Sequence, residues 1–314
     1  MTRIVAPTLP DAGAHGGDAL AIAAALGFDP AMMLDLSASL NPFSPDVSAL
    51  AVDVLRSEPA ALNAYPDPAR AEAQIADALS VSPDRMVLTN GAAEAIALVA
   101  AVVGSGYVVE PEFSLYRRHL ARVAEGAPRW RSNPSNPTGV LAAPGESAEV
   151  WDEAFYPLAT GLWTNGDDRA WRIGSLTKIW SCPGLRLGFV IGPTADEARR
   201  VRAIQPQWAV NGLALALVPL LLDRTDLGGW HLSIQRLAAS FTVALGDLGF
   251  AATSTDVNWV LVDHSGLRAQ LAPLGIVVRD CTSFGLPGTH RVALPRPTDV
   301  DRVLGTFALV GARR

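Results

Sequence analysis

The chain is poor in cysteine, and the little it has is unclustered. Its 314 residues include two cysteines, Cys182 and Cys281. They make no disulfide framework and read as reduced thiols of a cytosolic protein. Neither has a CxxC neighbour, and the five histidines show no HExxH spacing, so a metal site is unsupported. There is no basic stripe, and the formal net charge is -6, so nucleic acid is not an expected partner. Long apolar runs are missing too. The longest, Leu213 to Leu222, contains Pro219 and falls well short of the roughly 20 residues a membrane helix needs, so no membrane partner is expected. The start, Met1-Thr-Arg-Ile-Val-Ala-Pro, lacks an extended apolar core and a secretory signature, which points to the cytoplasm. Internal repeats and low-complexity segments are absent.

What is present suits a globular α/β protein. Hydrophobic residues make up 49% and charged residues 18%, enough to bury a sizeable core. The length allows roughly two domains. Met86 to Thr89 reads as a short buried strand and Ala92 to Val103 as a helix, with Gly91 between them. That order is a phosphate-cradling arrangement, because free N–H groups at a helix start attract anions. Tyr107 to Val109, Trp171 to Gly174 and Leu187 to Ile191 read as further strands. Ser114 to Ala124, Thr194 to Ile204, Leu213 to Asp223 and His231 to Leu248 read as helices. Near the end, Trp259 to Val262, Ile276 to Arg279 and Arg291 to Leu294 read as strands of a separate sheet, with a helix over Gly266 to Leu274. Alternating strands and helices predict an α/β large domain with a mostly parallel sheet, and a small α+β domain beside it. The expected divisions are an arm over 1–45 that joins the small domain, a large domain over 46–222, and a C-terminal small domain over 223–314.

The most informative stretch is Ser175-Leu-Thr177-Lys178-Ile-Trp-Ser-Cys-Pro-Gly184-Leu-Arg186-Leu-Gly188. It sets one lysine among hydroxyls in an apolar setting, then a Pro-Gly turn, then an arginine. A desolvated lysine loses its charge more readily and becomes a nucleophile toward carbonyl carbon. An arginine offers a planar fork for a phosphate dianion. Together they suit a carbonyl cofactor that carries a phosphate.

Four further segments extend the pattern in order: Tyr65-Pro-Asp-Pro68, Thr89-Asn-Gly91-Ala-Ala-Glu94, Asn133-Pro-Ser-Asn136-Pro-Thr-Gly139 and Asp152-Glu-Ala-Phe155. With the lysine run they resemble the motifs of the aminotransferase class I/II family, the fold-type-I pyridoxal 5'-phosphate (PLP) enzymes. The resemblance runs from about residue 15 to 295. It implies the aspartate aminotransferase-like fold, PLP as cofactor, a homodimer, and a set of roles. Lys178 would be the catalytic amine that joins the cofactor aldehyde and later moves protons at the substrate carbon. Asp152 would pair with the pyridine nitrogen and Asn136 with the phenolic oxygen, while Phe113 would stack on the ring. The phosphate would be met by the N–H groups of Ala92 and Ala93 and by Ser175, Thr177 and Arg186. Tyr65 would reach it across a dimer interface. Arg291 would grip the substrate carboxylate, with Arg279 as a second anion-binding candidate.

Within the family, several features lean toward a branch that decarboxylates a small phosphorylated amino acid. They are His15-Gly16-Gly17, the segment Asp35-Leu-Ser-Ala-Ser-Leu-Asn41-Pro42, the run Arg279-Asp-Cys281, and Phe155 where the related aminotransferases carry tyrosine. His15 and Asn41 accordingly join the substrate-binding candidates. The same cofactor residues would equally serve an aminotransferase of a phosphorylated amine, or a non-catalytic binding protein. The chain also departs from the pattern. Pro128-Arg-Trp-Arg-Ser132 stands where the family has an apolar strand, and the interval from Gly139 to Asp152 is short. Both leave open whether the sheet loses a strand.

Overall fold

A computed structural model describes residues 9–13 and 15–312. They form two compact units, one from the described residues up to Pro42 together with those from Ile234 onward, and the other from Phe43–Ser233. The sequence placed divisions at 45/46 and 222/223. The second changeover lies instead inside the long helix Leu227–Asp247, where no linker composition marks it.

The Phe43–Ser233 unit is built on a seven-stranded sheet. In spatial order its strands are Met86–Asn90, Leu187–Ile191, Trp171–Ser175, Val150–Asp152, Arg129–Ser132, Ser105–Val108 and Arg122–Val123. All run parallel except Leu187–Ile191, which is antiparallel to both neighbours. Trp171–Ser175 and Leu187–Ile191 are buried at every position, as expected of strands covered on both faces. The core includes Val87, Ile96, Val99, Tyr116, Trp130, Ile173 and Val190.

The doubtful strand is present. Arg129–Ser132 pairs with Ser105–Val108 on one side and Val150–Asp152 on the other. Its side chains alternate: Trp130 enters the core, while Arg129 Nη2 and Arg131 Nε both reach Glu146 Oε1, at 2.5 and 2.9 Å. Ion pairing on one face explains why the segment does not look apolar. Burial works to raise the Glu146 carboxyl, but hydrogen bonds from Arg131, Ala143 and Arg129 overrule it and hold the group at about 2.

Capping defines several helices. Thr194 accepts from the Glu197 N–H ahead of Ala195–Ile204, and Asn211 from the Ala214 N–H ahead of Gly212–Asp223. Val47–Ser57, which the sequence reading did not find, starts at Asp46, whose carboxylate accepts from the N–H groups of Ser48 and Ala49. Both the cap and the apolar spacing of Val47, Leu50, Val54 and Leu55 were available signals. The helix expected over Ser114 to Ala124 is shorter, Leu115–His119, and the chain then enters strand Arg122–Val123.

The other unit holds a four-stranded antiparallel sheet in the order Arg279–Asp280, Thr289–Ala293, Trp259–Asp263, Ala251–Ser254. Its last strand was not anticipated. Leu34–Asp35 pairs in parallel with Ile276–Val277, which fastens the early segment to the late one. Helix Val300–Gly311 buries Val303, Phe307 and Val310, with Phe307 edge-on to Phe250 at 5.1 Å. No helix of the described residues is long and apolar enough to cross a membrane.

Candidate active site

The sheet gathers the motifs at one end. Gly91 follows strand Met86–Asn90, Phe113 comes after Ser105–Val108, Asn136 after Arg129–Ser132, Asp152 closes Val150–Asp152, and Lys178 follows Trp171–Ser175. All five strands point the same way. Arg186 precedes the one reversed strand and so arrives at the same edge. Ligands of open α/β sheets bind beyond these carboxyl ends.

Gly91 begins the helix Gly91–Val103, and its φ is 75°. Asn90 makes no side-chain capping bond there, so the N–H groups of Ala92 and Ala93 belong to the set a helix start leaves without an intrahelical acceptor. A Cβ on Gly91 would lie 2.6 Å from Arg186 Nη2: the guanidinium rests against the bare α-carbon. Arg186 itself holds a φ of 54°, uncommon for a residue with a side chain and a feature of functional sites. Gly188 is equally confined, since a Cβ there would meet Ala92 N at 2.6 Å. Ser175 is the register partner of Gly188. Thr177 Oγ1 bonds to both the carbonyl and the N–H of Leu187, at 3.2 and 3.3 Å, so it braces the strand behind Arg186.

Asp152 is buried. Its Oδ2 accepts from the Tyr116 hydroxyl at 2.8 Å and its Oδ1 from the Ala154 N–H at 3.0 Å. Burial raises its carboxyl above the ordinary range, while those hydrogen bonds and the charge of Lys178 pull the other way. Lys178 is half-buried on the short helix Leu176–Ile179, with its Nζ 5.6 Å from the centre of the Phe155 ring. It is also the only lysine in the chain, a signal the sequence reading did not use. Phe113 meets Tyr116 edge-on at 6.0 Å. Tyr116 was missed as well; only its position after Phe113, at the start of a helix facing Asp152, could have flagged it.

Tyr65 stands 79% exposed and stacks on Trp208, ring centres 4.5 Å apart. The remaining candidates belong to the unit that holds the chain ends. Arg291 and Arg279 are register partners on adjacent strands, and both are buried. Arg291 Nη2 donates to the Ser37 carbonyl at 3.1 Å, and its guanidinium lies 5.0 Å from the Trp259 ring centre. Burial lowers Arg291 to about 10, so it stays charged at neutral pH. Arg279 donates from Nη1 to the carbonyls of Gly13 and His15 and from Nη2 to Ser283 Oγ, which ties the early segment down. His15 is exposed and Asn41 buried. Both cysteines are free and buried, and burial pushes the Cys182 thiol up to about 12, so it is inert.

These features fit a phosphorylated pyridine aldehyde: a bare helix start with an arginine laid against it, a buried carboxylate, and an amine on a neighbouring strand end. Residues 130–307 match the family described as aminotransferase class I and II, and the chain belongs to it. The chain is 27% identical to threonine-phosphate decarboxylase of Salmonella typhimurium, over 94% of this chain and 95% of that one. It is 29% identical to histidinol-phosphate aminotransferase 2 of Pseudomonas aeruginosa, over 92% of each. Among solved structures, histidinol-phosphate aminotransferase of Sinorhizobium meliloti in complex with pyridoxal-5'-phosphate superposes with a TM-score of 0.74, at 18% identity, over 88% of this chain and 90% of that one. The protein is thus a PLP-dependent enzyme, of the decarboxylase or the aminotransferase kind.

Proposed function

We propose that this enzyme decarboxylates L-threonine O-3-phosphate to (R)-1-aminopropan-2-ol O-phosphate, a reaction of cobalamin biosynthesis, as a cytoplasmic homodimer. The observation that carries the reading is the ring beside the lysine. Phe155 is buried 5.6 Å from Lys178 Nζ, and it brings no hydroxyl to a place where the related aminotransferases are expected to have one. The similarity to a threonine-phosphate decarboxylase across nearly the whole of both chains supports the same branch.

When bound, PLP supplies an electron sink for the bond that breaks. The roles of the chain's own residues follow from their chemistry. The helix-start N–H groups of Ala92 and Ala93, with Ser175 and Arg186, hold the phosphate. Asp152 keeps a proton on the ring nitrogen, and Asn136 hydrogen-bonds the phenolic oxygen. Arg291 would grip the substrate carboxylate with its guanidinium. Lys178 returns a proton to that carbon after carbon dioxide leaves. Tyr65, exposed in the single chain, completes the phosphate site of a second copy.

The competing reading is a histidinol-phosphate aminotransferase, favoured by the 29% identity to such an enzyme. The two are separated by incubating purified, PLP-loaded protein with L-threonine O-3-phosphate, and separately with histidinol phosphate plus 2-oxoglutarate. Carbon dioxide release in the first mixture is expected. Consumption of 2-oxoglutarate in the second, with no gas from the first, would overturn the proposal.

A further inference from the structure

The direction in which Arg291 points is set from the early segment of the chain. Leu36 is fixed between two strands of its own unit: its N–H donates to the Val277 carbonyl at 2.8 Å, and its carbonyl accepts from the Ala293 N–H at 2.9 Å. That pairing lays the next residue, Ser37, alongside strand Thr289–Ala293. The Ser37 carbonyl accepts from Arg291 Nη2 at 3.1 Å. Both residues are buried, so the bond is shielded from water. Trp259, a register neighbour of the same strand, faces the guanidinium with its ring centre 5.0 Å away. The ring limits how far the guanidinium plane tilts, and the carbonyl limits how far it turns within that plane.

The side chain of Ser37 holds that carbonyl still. A serine hydroxyl has one proton to give and lone pairs to receive, and both capacities are used. The hydroxyl donates to Asp35 Oδ1 at 2.6 Å and accepts from the Gly17 N–H at 2.8 Å. Asp35 Oδ1 also accepts from the Ser37 N–H at 2.8 Å. Gly16 closes the contact from the arm. A Cβ there would lie 2.3 Å from the Ser37 carbonyl oxygen, so only a bare α-carbon lets the arm rest on the oxygen that Arg291 uses. Arg279 holds the same arm through the carbonyls of Gly13 and His15.

We propose that Ser37 is a positioning residue for substrate recognition: pinned by Asp35 and Gly17, it fixes the backbone carbonyl that sets the rotation of the Arg291 guanidinium. The role makes a selective demand. A planar guanidinium meets a carboxylate through two parallel N–H bonds, and that match depends on the angle at which the fork is held. Loosening the Ser37 carbonyl lets the fork turn and spoils the match. A ligand with the same phosphate and amine but no carboxylate asks nothing of that angle and binds as before. Damage to the fold at large would weaken both ligands together.

This proposal rests on the reading of Arg291 as the group that grips the substrate carboxylate, and the test separates the two. PLP-loaded protein is reduced with borohydride, which stops turnover. Its affinities for L-threonine O-3-phosphate and for (R)-1-aminopropan-2-ol O-phosphate are then measured by calorimetry. The two ligands differ by one carboxylate, and wild type should prefer the one that carries it. Ser37→Ala should bind that ligand about tenfold more weakly and the other within about twofold of wild type. Asp35→Ala should behave in the same way. Asp35→Asn, whose amide oxygen still accepts from both Ser37 donors, should match wild type. If Ser37→Ala keeps the wild-type preference, or loses both ligands equally, Ser37 does not aim Arg291. If Arg291→Gln keeps the preference, or wild type shows none, the reading of Arg291 fails and this proposal falls with it.

Discussion

Gly188→Ala tests how tightly the phosphate corner is built. A Cβ at 188 would meet Ala92 N and the Gly91 carbonyl carbon at 2.6 Å and the Gly174 carbonyl oxygen at 2.9 Å, all of them backbone. Ordinary contact begins near 3.4 Å, so the helix start and the strand must separate by close to an ångström. Overpacking of this kind costs about 1–3 kcal/mol of folding stability. It also moves the Ala92 and Ala93 N–H groups away from the anion they are proposed to hold. A hydrogen bond to a charged group is worth about 1.5–3 kcal/mol, so losing one weakens cofactor binding by about ten- to a hundredfold. Gly184→Ala, in the turn of the same motif, is the control, because nothing lies within 4 Å of a Cβ there. It should change stability by no more than about 0.5 kcal/mol. Both variants are measured as apoprotein by urea denaturation and by PLP titration. If Gly188→Ala matches Gly184→Ala in both, the close packing of strand on helix start is not what shapes the site.

Further expectations concern charge and covalent chemistry. Glu153 is buried, its carboxylate accepting from Thr164 Oγ1 and the Asn165 N–H, and burial pushes it up to about 7 against those bonds and the charge of Arg172. A carboxyl raised on folding stabilises the protein below its ordinary value of 4.5, and that contribution is lost as pH rises through 7. Between pH 6 and 8.5 the loss from this one group is about 1.4 kcal/mol, so apoprotein stability should decline over that range and Glu153→Gln should flatten the decline. A flat wild-type profile would remove the argument. Glu146, held at about 2, behaves oppositely: its contribution is present above 4.5 and lost as pH falls toward 2, so Glu146→Gln should destabilise at pH 7 and not at pH 2. Borohydride treatment of PLP-loaded protein should place the pyridoxyl tag on Lys178, the only lysine, and Lys178→Ala should abolish it; a tag elsewhere would redirect the chemistry. Native protein should leave Cys182 unmodified by a thiol reagent at pH 8, with labelling appearing on unfolding, since the buried thiol stays protonated.

Much of the site was legible in the chain because its motifs are local. Glycine before a helix, a lysine after a strand and an arginine past a Pro-Gly turn each declare a backbone geometry or a charge within a few residues. The strand at Arg129–Ser132 was not legible, because its polarity depends on Glu146, an acid more than a dozen residues away. Tyr116 escaped for a related reason. Nothing near it in sequence says that Asp152 lies within reach of its hydroxyl.

The amino-acid order by itself determined the family, the cofactor and the alternating strand–helix plan, since these follow from short-range patterns repeated in a set sequence. Only the tertiary structure decided which polar side chains meet in the interior. Folding brought the Tyr116 hydroxyl to Asp152, and burial then set the balance between charge and hydrogen bond at that carboxyl. Ionisation in a protein interior is a property of everything packed around a group, and that neighbourhood exists only once the chain has folded.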